Sequence, residues 1–277
     1  MIISVIYLLR KDKLSQINFS NFCNSLSIYC PGKNLDLHIV LKGFSEIPPI
    51  INLLPEEYNI STTLLDDIAF DINSYYHIAK KNDSDLILFL NSYSVVNGDN
   101  WLKKYYDAHV STGSLLIGAT GSYEASGFSL PYFSLNCPVS LVKFMPRTLF
   151  RLLNLIKYPH SEKVSFPNPH IRTNAFLISR RLFIKYFQFY GLPKTKDDCH
   201  NVESGSISLT QYALAENCNP GLIDKNGVFF DLNRLHLSNT YRVNSQEGLL
   251  VSDNRTREFA AASFCRKLSL SYDAWRG

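Results

Sequence analysis

Five apolar residues in succession, Leu86-Ile87-Leu88-Phe89-Leu90, stand between Asp85 and Asn91. So short and continuous a run predicts a strand buried on both faces. Around it, short apolar runs alternate with stretches of helical period. Residues 2–9 predict a first strand. A helix follows with Leu14, Ile17, Phe22, Cys23 and Leu26 on one side, and Pro31-Gly32 ends it. Residues 35–41 form a second predicted strand, and residues 60–65 a third beyond a Pro48-Pro49 loop. Phe70-Asp71-Ile72 leads into a helix through Tyr75, Tyr76, Ile78 and Ala79, which delivers the chain to the Leu86 strand. Gly98-Asp99-Asn100-Trp101-Leu102 opens another helix, and residues 115–117 the next strand. Strands alternating with helices predict the α/β class, a mostly parallel central sheet with helices on both faces.

From Ser122 to Pro169 the alternation breaks, punctuated by Pro131, Pro138, Pro146, Pro159 and Pro167. One helix is predicted there, over 146–157, with proline at its first turn. Beyond it, residues 171–179 predict a strand, 180–190 and 206–216 helices, 222–230 a hairpin around Lys225-Asn226-Gly227, and 257–270 a terminal helix. No internal repeat or low-complexity tract interrupts the chain.

Composition changes this picture little. At 277 residues, 45% apolar and 19% charged, the chain reads as a soluble globular protein with a sizeable core. The net charge of +4 is local. No acidic residue lies between Glu124 and Glu162, whereas Lys143, Arg147, Arg151 and Lys157 all do. The six cysteines form no Cys-x-x-Cys pair, which predicts buried free thiols in a reducing cytosol. The first apolar run has neither a basic region before it nor a small-residue cleavage site after it, so it predicts a strand and not a signal peptide. No apolar run reaches the length of about 18 residues that a membrane span requires.

Several short pieces, taken in order, resemble a bacterial glycosyltransferase of the GT-A type, related to the family-2-like enzymes of surface-polysaccharide synthesis. They are Phe70-Asp71-Ile72, Phe89-Leu90-Asn91-Ser92-Tyr93-Ser94, Trp101-Leu102, Gly118-Ala119-Thr120-Gly121-Ser122, Ile171-Arg172-Thr173-Asn174-Ala175-Phe176, Glu203-Ser204-Gly205 and the stretch from Leu249 to Thr256. The resemblance implies a GT-A, Rossmann-like single continuous domain, with residues 1–121 as its nucleotide-sugar half and 122–277 as its acceptor-binding and catalytic half. It implies transfer of a hexose-like sugar with inversion, for O-antigen, lipopolysaccharide or capsule. The expected partners are a nucleotide-sugar donor and a glycan or lipid-linked acceptor. The expected location is cytoplasmic, peripheral at the inner face of the cytoplasmic membrane.

The Asn91-Ser92-Tyr93-Ser94 turn stands where GT-A enzymes usually carry Asp-x-Asp, the motif that holds a divalent cation against the donor diphosphate. Both carboxylates are absent, so no metal ligands are assigned. Either the chemistry needs no Mn or Mg, or Asp71, Asp99 and a late residue such as His236 replace them. Asn91, Ser92 and Ser94 are donor-binding candidates, though Asn and Ser also favour plain turns. Asp71 is a donor-side candidate or a helix N-cap. Arg172 matches phosphate oxygens with its planar fork, or pairs with an acid elsewhere. Asn174, His200 and Arg242 are acceptor-side candidates, and Asp253 reads equally as a helix cap. Glu203, placed just ahead of the helix at 206–216, is the candidate general base, with Asp197, Asp198 and His200 behind it. A neutral hydroxyl attacks an anomeric carbon poorly, and a positioned carboxylate can take its proton. The usual acidic pair is broken here, since Ser204 follows Glu203.

The 146–157 helix carries Leu149, Leu152, Leu153 and Ile156 on one side and Arg147 and Arg151 on another. It is either a core helix with a basic edge or an interfacial helix on an anionic bilayer. Leu8-Leu9-Arg10-Lys11-Asp12-Lys13 has no glycine, which argues against dinucleotide and P-loop enzymes and against sugar-phosphate nucleotidyltransferases. One basic window is too little surface for nucleic acid. The alternative to an enzyme is a catalytically inactive GT-A-like domain that binds a glycan or acts as a scaffold.

Overall fold

A computed structural model describes residues 2–125 and 164–275; the predicted 146–157 helix and its basic window lie outside them. The first half runs β1 (Ile3–Arg10), α1 (Ser15–Ile28), β2 (Asp36–Lys42), β3 (Asn59–Leu65), α2 (Asp71–Lys81), β4 (Leu86–Leu90), β5 (Val95–Val96), α3 (Trp101–Thr112), β6 (Leu116–Gly118) and β7 (Gly121–Ser122). The second half runs β8 (His170–Ile171), β9 (Ala175–Ser179), α4 (Arg180–Tyr190), α5 (Lys196–Ser204), α6 (Leu209–Ala215), β10 (Gly221–Ile223), β11 (Phe229–Asp231), β12 (Val251–Ser252), α7 (Asn254–Ala261) and α8 (Phe264–Trp275).

Eight strands form one sheet in the order β11-β10-β6-β9-β4-β1-β2-β3. β1, β2, β3 and β4 pair in parallel, as do β6 and β10. β9 enters antiparallel between β4 and β6, and β11 closes the far edge antiparallel to β10. The fold is therefore the predicted α/β, mostly parallel sheet, and strands from both sides of residue 121 share it.

Alternate side chains of the strands feed two cores. Val5, Tyr7, Leu9, Leu88 and Leu90 pack with Phe19 and Phe22 of α1 and with Trp101 and Tyr105 of α3. Ile6, Leu8, Ile87 and Phe89 face the other way, onto Tyr75 and Ile78 of α2 and Phe183 and Tyr186 of α4. Burial on both faces is why these strands read as unbroken apolar runs. After β3 the chain returns to the other side of β1 to make β4. The carboxyl ends of β1 and β4 thus flank the point where the winding reverses, the place where open α/β sheets bind ligands.

Several expected elements differ. Leu14 and Ile17 are exposed, and α1 buries Asn18, Phe19, Phe22, Cys23, Ser25 and Leu26 instead. At about 100° per residue, Ile17 stands roughly 200° round the helix from Phe19. The strand expected over 171–179 is two strands separated by Arg172-Thr173-Asn174. The helix expected from 206 begins at Leu209, where the Ser208 side chain accepts from the Gln211 amide as N-cap. The terminal helix is two helices, the first opened by an Asp253–Thr256 capping box. Helix α5 had no sequence counterpart, although Thr195 and Asp198 form its capping box.

Cys265 is disulfide-bonded, and Cys30 is an exposed free thiol. The expectation of six buried free thiols fails because spacing detects only close cysteine pairs, and it no longer supports a reducing compartment. Among the described residues no helix is long and apolar enough to cross a membrane.

Candidate active site

A cavity of about 480 Å³ opens at this reversal point. Arg10 and Asn91 line it from the ends of β1 and β4, and residues 67–72 form one wall after β3. Arg172, Thr173 and Asn174 contribute from the β8–β9 link, Val202 and Glu203 from α5, and Asp253, Asn254 and Arg255 from the start of α7. Of the residues singled out in the sequence, Asp71, Asn91, Arg172, Asn174 and Glu203 meet here, together with Asp253. Ser92, Ser94, His200 and Arg242 are not among the lining residues.

The Asn91–Ser94 turn is closed by its own side chains. Asn91 Oδ1 accepts the Tyr93 amide at 3.0 Å and the Ser94 hydroxyl at 3.1 Å. Ser92 donates its hydroxyl to Leu8 O at 2.8 Å and accepts the Arg10 amide at 2.9 Å, stitching β4 to β1. Both serines are buried. The turn thereby fixes where Arg10 and Asn91 leave their strands.

Arg172 has the acid that the sequence left unidentified. Its Nη1 donates to Asp253 Oδ2 at 3.2 Å and to Thr120 Oγ1 at 3.3 Å, and its guanidinium lies 4.0 Å from the centre of the Tyr241 ring. Burial alone would ease the proton off this guanidinium; Asp253, then Tyr241 and Glu203, more than compensate and raise its pKa. Asp253 is that acid and also the helix cap expected of it. Its Oδ1 caps α7 through the Thr256 amide at 2.8 Å while Oδ2 faces Arg172.

Glu203 sits in the last turn of α5, and the helix expected just after it, α6, begins only at Leu209. That end of α5 carries the negative pole of the helix dipole, which disfavours a carboxylate. Thr173 holds it nonetheless: the Thr173 amide and hydroxyl donate to Oε2 at 2.8 and 2.5 Å. Burial pushes the carboxyl up, but Arg172, His170 and the Thr173 bonds outweigh it, and the pKa lies below the ordinary glutamate value. His170 beside it is buried, and burial lowers its pKa. Its Nδ1 lies 2.8 Å from Asn168 O, a carbonyl that only accepts, so Nδ1 carries the proton.

Asp71 is the first residue of α2, and its carboxylate does not cap the helix. It accepts from Lys42 Nζ at 2.9 Å. Lys42, fully buried at the end of β2, also donates to Ala69 O and lies 3.6 Å from Asp67, which pairs with Arg10 at 3.1 Å. Two cations thus pin the 67–72 wall. Of the four cavity carboxylates, Asp67, Asp71 and Asp253 each have a Lys or Arg within 4.0 Å. Among the described residues Glu203 has none, and its Oε1 accepts no hydrogen bond.

This donor set does not suit a divalent cation. The turn offers an amide oxygen already taken twice, and three carboxylates are already matched by fixed cations. Among the described residues no three His, Cys, Asp or Glu side chains converge as a metal site. His200 is exposed on α5. Arg242 is buried in a left-handed conformation (φ 53°), 4.7 Å from the Tyr241 ring centre and 4.0 Å from Glu124. Arg10, Asp67, Tyr75 and Thr173 line the cavity as well, and none of them is a candidate from sequence. Arg10 ends β1 and Asp67 follows β3, where the strand-end rule points. Nothing local marks Tyr75 or Thr173.

No family model matches this chain, and no curated protein matches it. Solved structures with a similar course of chain include S. aureus TarS 1–349 in complex with UDP-GlcNAc, at 17% identity over 48% of this chain and 37% of that one, with a TM-score of 0.37. The WbbM bifunctional glycosyltransferase in its apo form is 14% identical over 98% of this chain and 44% of its own, with a TM-score of 0.43. The galactosyltransferase LgtC in complex with donor and acceptor sugar analogues is 14% identical over 72% and 69%, with a TM-score of 0.39. The match to TarS spans well under half of that protein's length. At these identities the likeness concerns the fold alone.

Proposed function

We propose that this chain moves a sugar from a nucleotide-sugar donor to a hydroxyl of a glycan or lipid-linked glycan, with inversion, in the synthesis of a surface polysaccharide. The observation that carries this is Glu203: one carboxylate oxygen is held by Thr173 and the other is free, in a cavity whose remaining carboxylates are paired. The lowered pKa keeps this carboxylate ionised at neutral pH and makes it a weaker base than a free glutamate, so its part in the reaction rests on position: the free Oε1 faces the cavity. Glu203 Oε1 takes the proton of the acceptor hydroxyl as its oxygen bonds to the anomeric carbon. The bond from that carbon to the donor phosphate oxygen breaks, and its electron pair leaves with the nucleoside diphosphate. Arg10 and Arg255 at the cavity rim, and Arg172 deeper in, supply positive charge for the diphosphate. Asp71 and Asn91 face the donor, while Ser92 and Ser94 shape the turn that presents Asn91. Residues 143–157 bring the protein to an anionic membrane surface.

The test is a thermal-shift panel of nucleoside diphosphates and their sugars, with and without manganese. A ligand present at a hundred times its Kd adds about 2.7 kcal/mol to stability, which is several degrees of melting temperature for a protein of this size. No shift with any uridine, guanosine, thymidine or cytidine nucleotide at saturating concentration would refute the proposal. Binding without transfer would point instead to the inactive, glycan-binding alternative.

A further inference from the structure

The hydrogen bonds beneath the cavity form one directed chain. Arg172 Nη1 donates to both Asp253 Oδ2 and Thr120 Oγ1. Thr120, whose oxygen already accepts from Arg172, gives its own proton to Asn174 Oδ1 at 2.9 Å. That orients the Asn174 amide. Its oxygen is taken and its Nδ2 is left as a donor, buried and with no acceptor. Asn174 is only 6% exposed. A second polar group is in the same condition. The Tyr75 hydroxyl is buried without a partner, on a side chain 2% exposed, its ring held 4.5 Å from Phe89 and 6.3 Å from Phe176. Burial, then the charge of Asp71, keeps that phenol protonated. Both residues line the cavity.

Each group forfeits a hydrogen bond that the unfolded chain makes with water, a loss that native structures avoid in nearly every buried polar group. Among the described residues eight buried side-chain polar atoms are in this condition, and these two are the ones that line the cavity, where a ligand can bring the partners with it. We propose that Asn174 Nδ2 and the Tyr75 hydroxyl form the subsite that recognises the sugar ring of the donor, each donating to a hydroxyl oxygen of that ring. This rests on the nucleotide-sugar reading above and goes beyond it by separating sugar recognition from nucleotide binding. The two atoms are shut off from water in the free protein, so the ring reaches them through a small rotation of the lining side chains. A site built this way rejects a sugar that lacks the matching hydroxyl, because the protein donor then stays buried and unpaired. Directionality adds to this. The Asp253–Arg172–Thr120–Asn174 chain can end only in a donor, so the ligand atom it meets is an acceptor oxygen.

Calorimetry of the wild type, Tyr75→Phe and Asn174→Asp tests this with bare nucleoside diphosphates (UDP first) and the same nucleotides carrying glucose, galactose or N-acetylglucosamine. The readout is the affinity ratio of sugar nucleotide to bare nucleotide. Each variant is expected to lower that ratio about ten- to a hundredfold; bare-nucleotide affinity is expected to stay unchanged in Tyr75→Phe, while Asn174→Asp, whose new charge repels the diphosphate, is read by the ratio alone. Tyr75→Phe removes a hydroxyl that bonds nothing, so it is expected to melt no lower than the wild type. Ratios within about twofold of wild type in Tyr75→Phe overturn the subsite, as does a lowered melting temperature, which reveals a protein or water partner for the phenol. If Asn174→Asp does not fold, Tyr75→Phe decides alone. A wild type that binds no nucleotide refutes the nucleotide-sugar reading itself, an outcome distinct from intact binding with unchanged ratios.

Discussion

Replacing Asp253 by asparagine isolates the charge of one buried pair. Asp253 contributes twice, as cap of α7 through Oδ1 and as counter-ion of Arg172 through Oδ2. Asparagine caps a helix as well as aspartate does, so Asp253→Asn spares the first role and removes the second. The two side chains are 1% and 10% exposed, so the guanidinium left behind has little water to turn to. Breaking a buried pair by removing one partner costs about 3–5 kcal/mol. Glu203 also acts on Arg172, though not within salt-bridge distance, which places the expected loss near the lower end, ~3 kcal/mol. At about 2–4 °C per kcal/mol for a chain of this size, the melting temperature should fall by roughly 6–12 °C. Urea unfolding gives the free energy directly, with Asp253→Ala as the companion that removes cap and charge together, expected about 1 kcal/mol lower still. If Asp253→Asn unfolds within about 1 kcal/mol of wild type and only Asp253→Ala is destabilised, the cap is what Asp253 contributes and the charge pair is idle.

Chelation should leave sugar transfer intact, because the cavity carboxylates other than Glu203 are occupied by Lys42, Arg10 and Arg172; complete loss with EDTA, restored by manganese, would show otherwise. Glu203 has a depressed carboxyl pKa, so its ionised form stabilises the fold above the unfolded-state value and stops doing so as pH falls through the lower folded one. The stability gap between wild type and Glu203→Gln should therefore close on acidification, and a gap that widened would reverse the sign of the argument. Ser92→Ala breaks the bonds to Leu8 and Arg10, at a cost of about 1–3 kcal/mol in urea unfolding; a neutral change would mean the stitch is dispensable.

The sheet was legible because its central strands bury both faces. Residues 86–90 are β4 as read, residues 180–190 are α4, and the hairpin turns at Lys225-Asn226-Gly227. Strand direction was not legible: the apolar run of β9 reads the same whichever way it enters, yet it lies antiparallel between two parallel neighbours. The site was legible in pieces. Arg172, Asn174, Glu203 and Asp253 each stood out locally, but Arg172 meets Asp253 across 81 residues and Thr173 meets Glu203 across 30, and no local pattern encodes such pairings. The interruption at Arg172-Thr173-Asn174 was hidden because apolar Ile171 and Ala175 on either side continue the strand signal. The pairing of Lys42 with Asp71 shows the same limit from the other direction. Alone, the lysine reads as a solvent-facing strand end; in the fold it is fully buried and holds the cavity wall.

The central claim is that Glu203 takes the proton from the attacking hydroxyl, and turnover of Glu203→Gln tests it most directly. Glutamine keeps the shape and can still accept from Thr173 through its carbonyl, so folding and nucleotide binding should survive. Removing a general base costs about 10²–10⁴-fold in rate, so transfer from a sugar nucleotide, or its hydrolysis, should fall by at least a hundredfold at unchanged nucleotide affinity. A folded variant that keeps more than about a tenth of wild-type turnover contradicts the assignment and leaves Glu203 as a structural partner of Thr173.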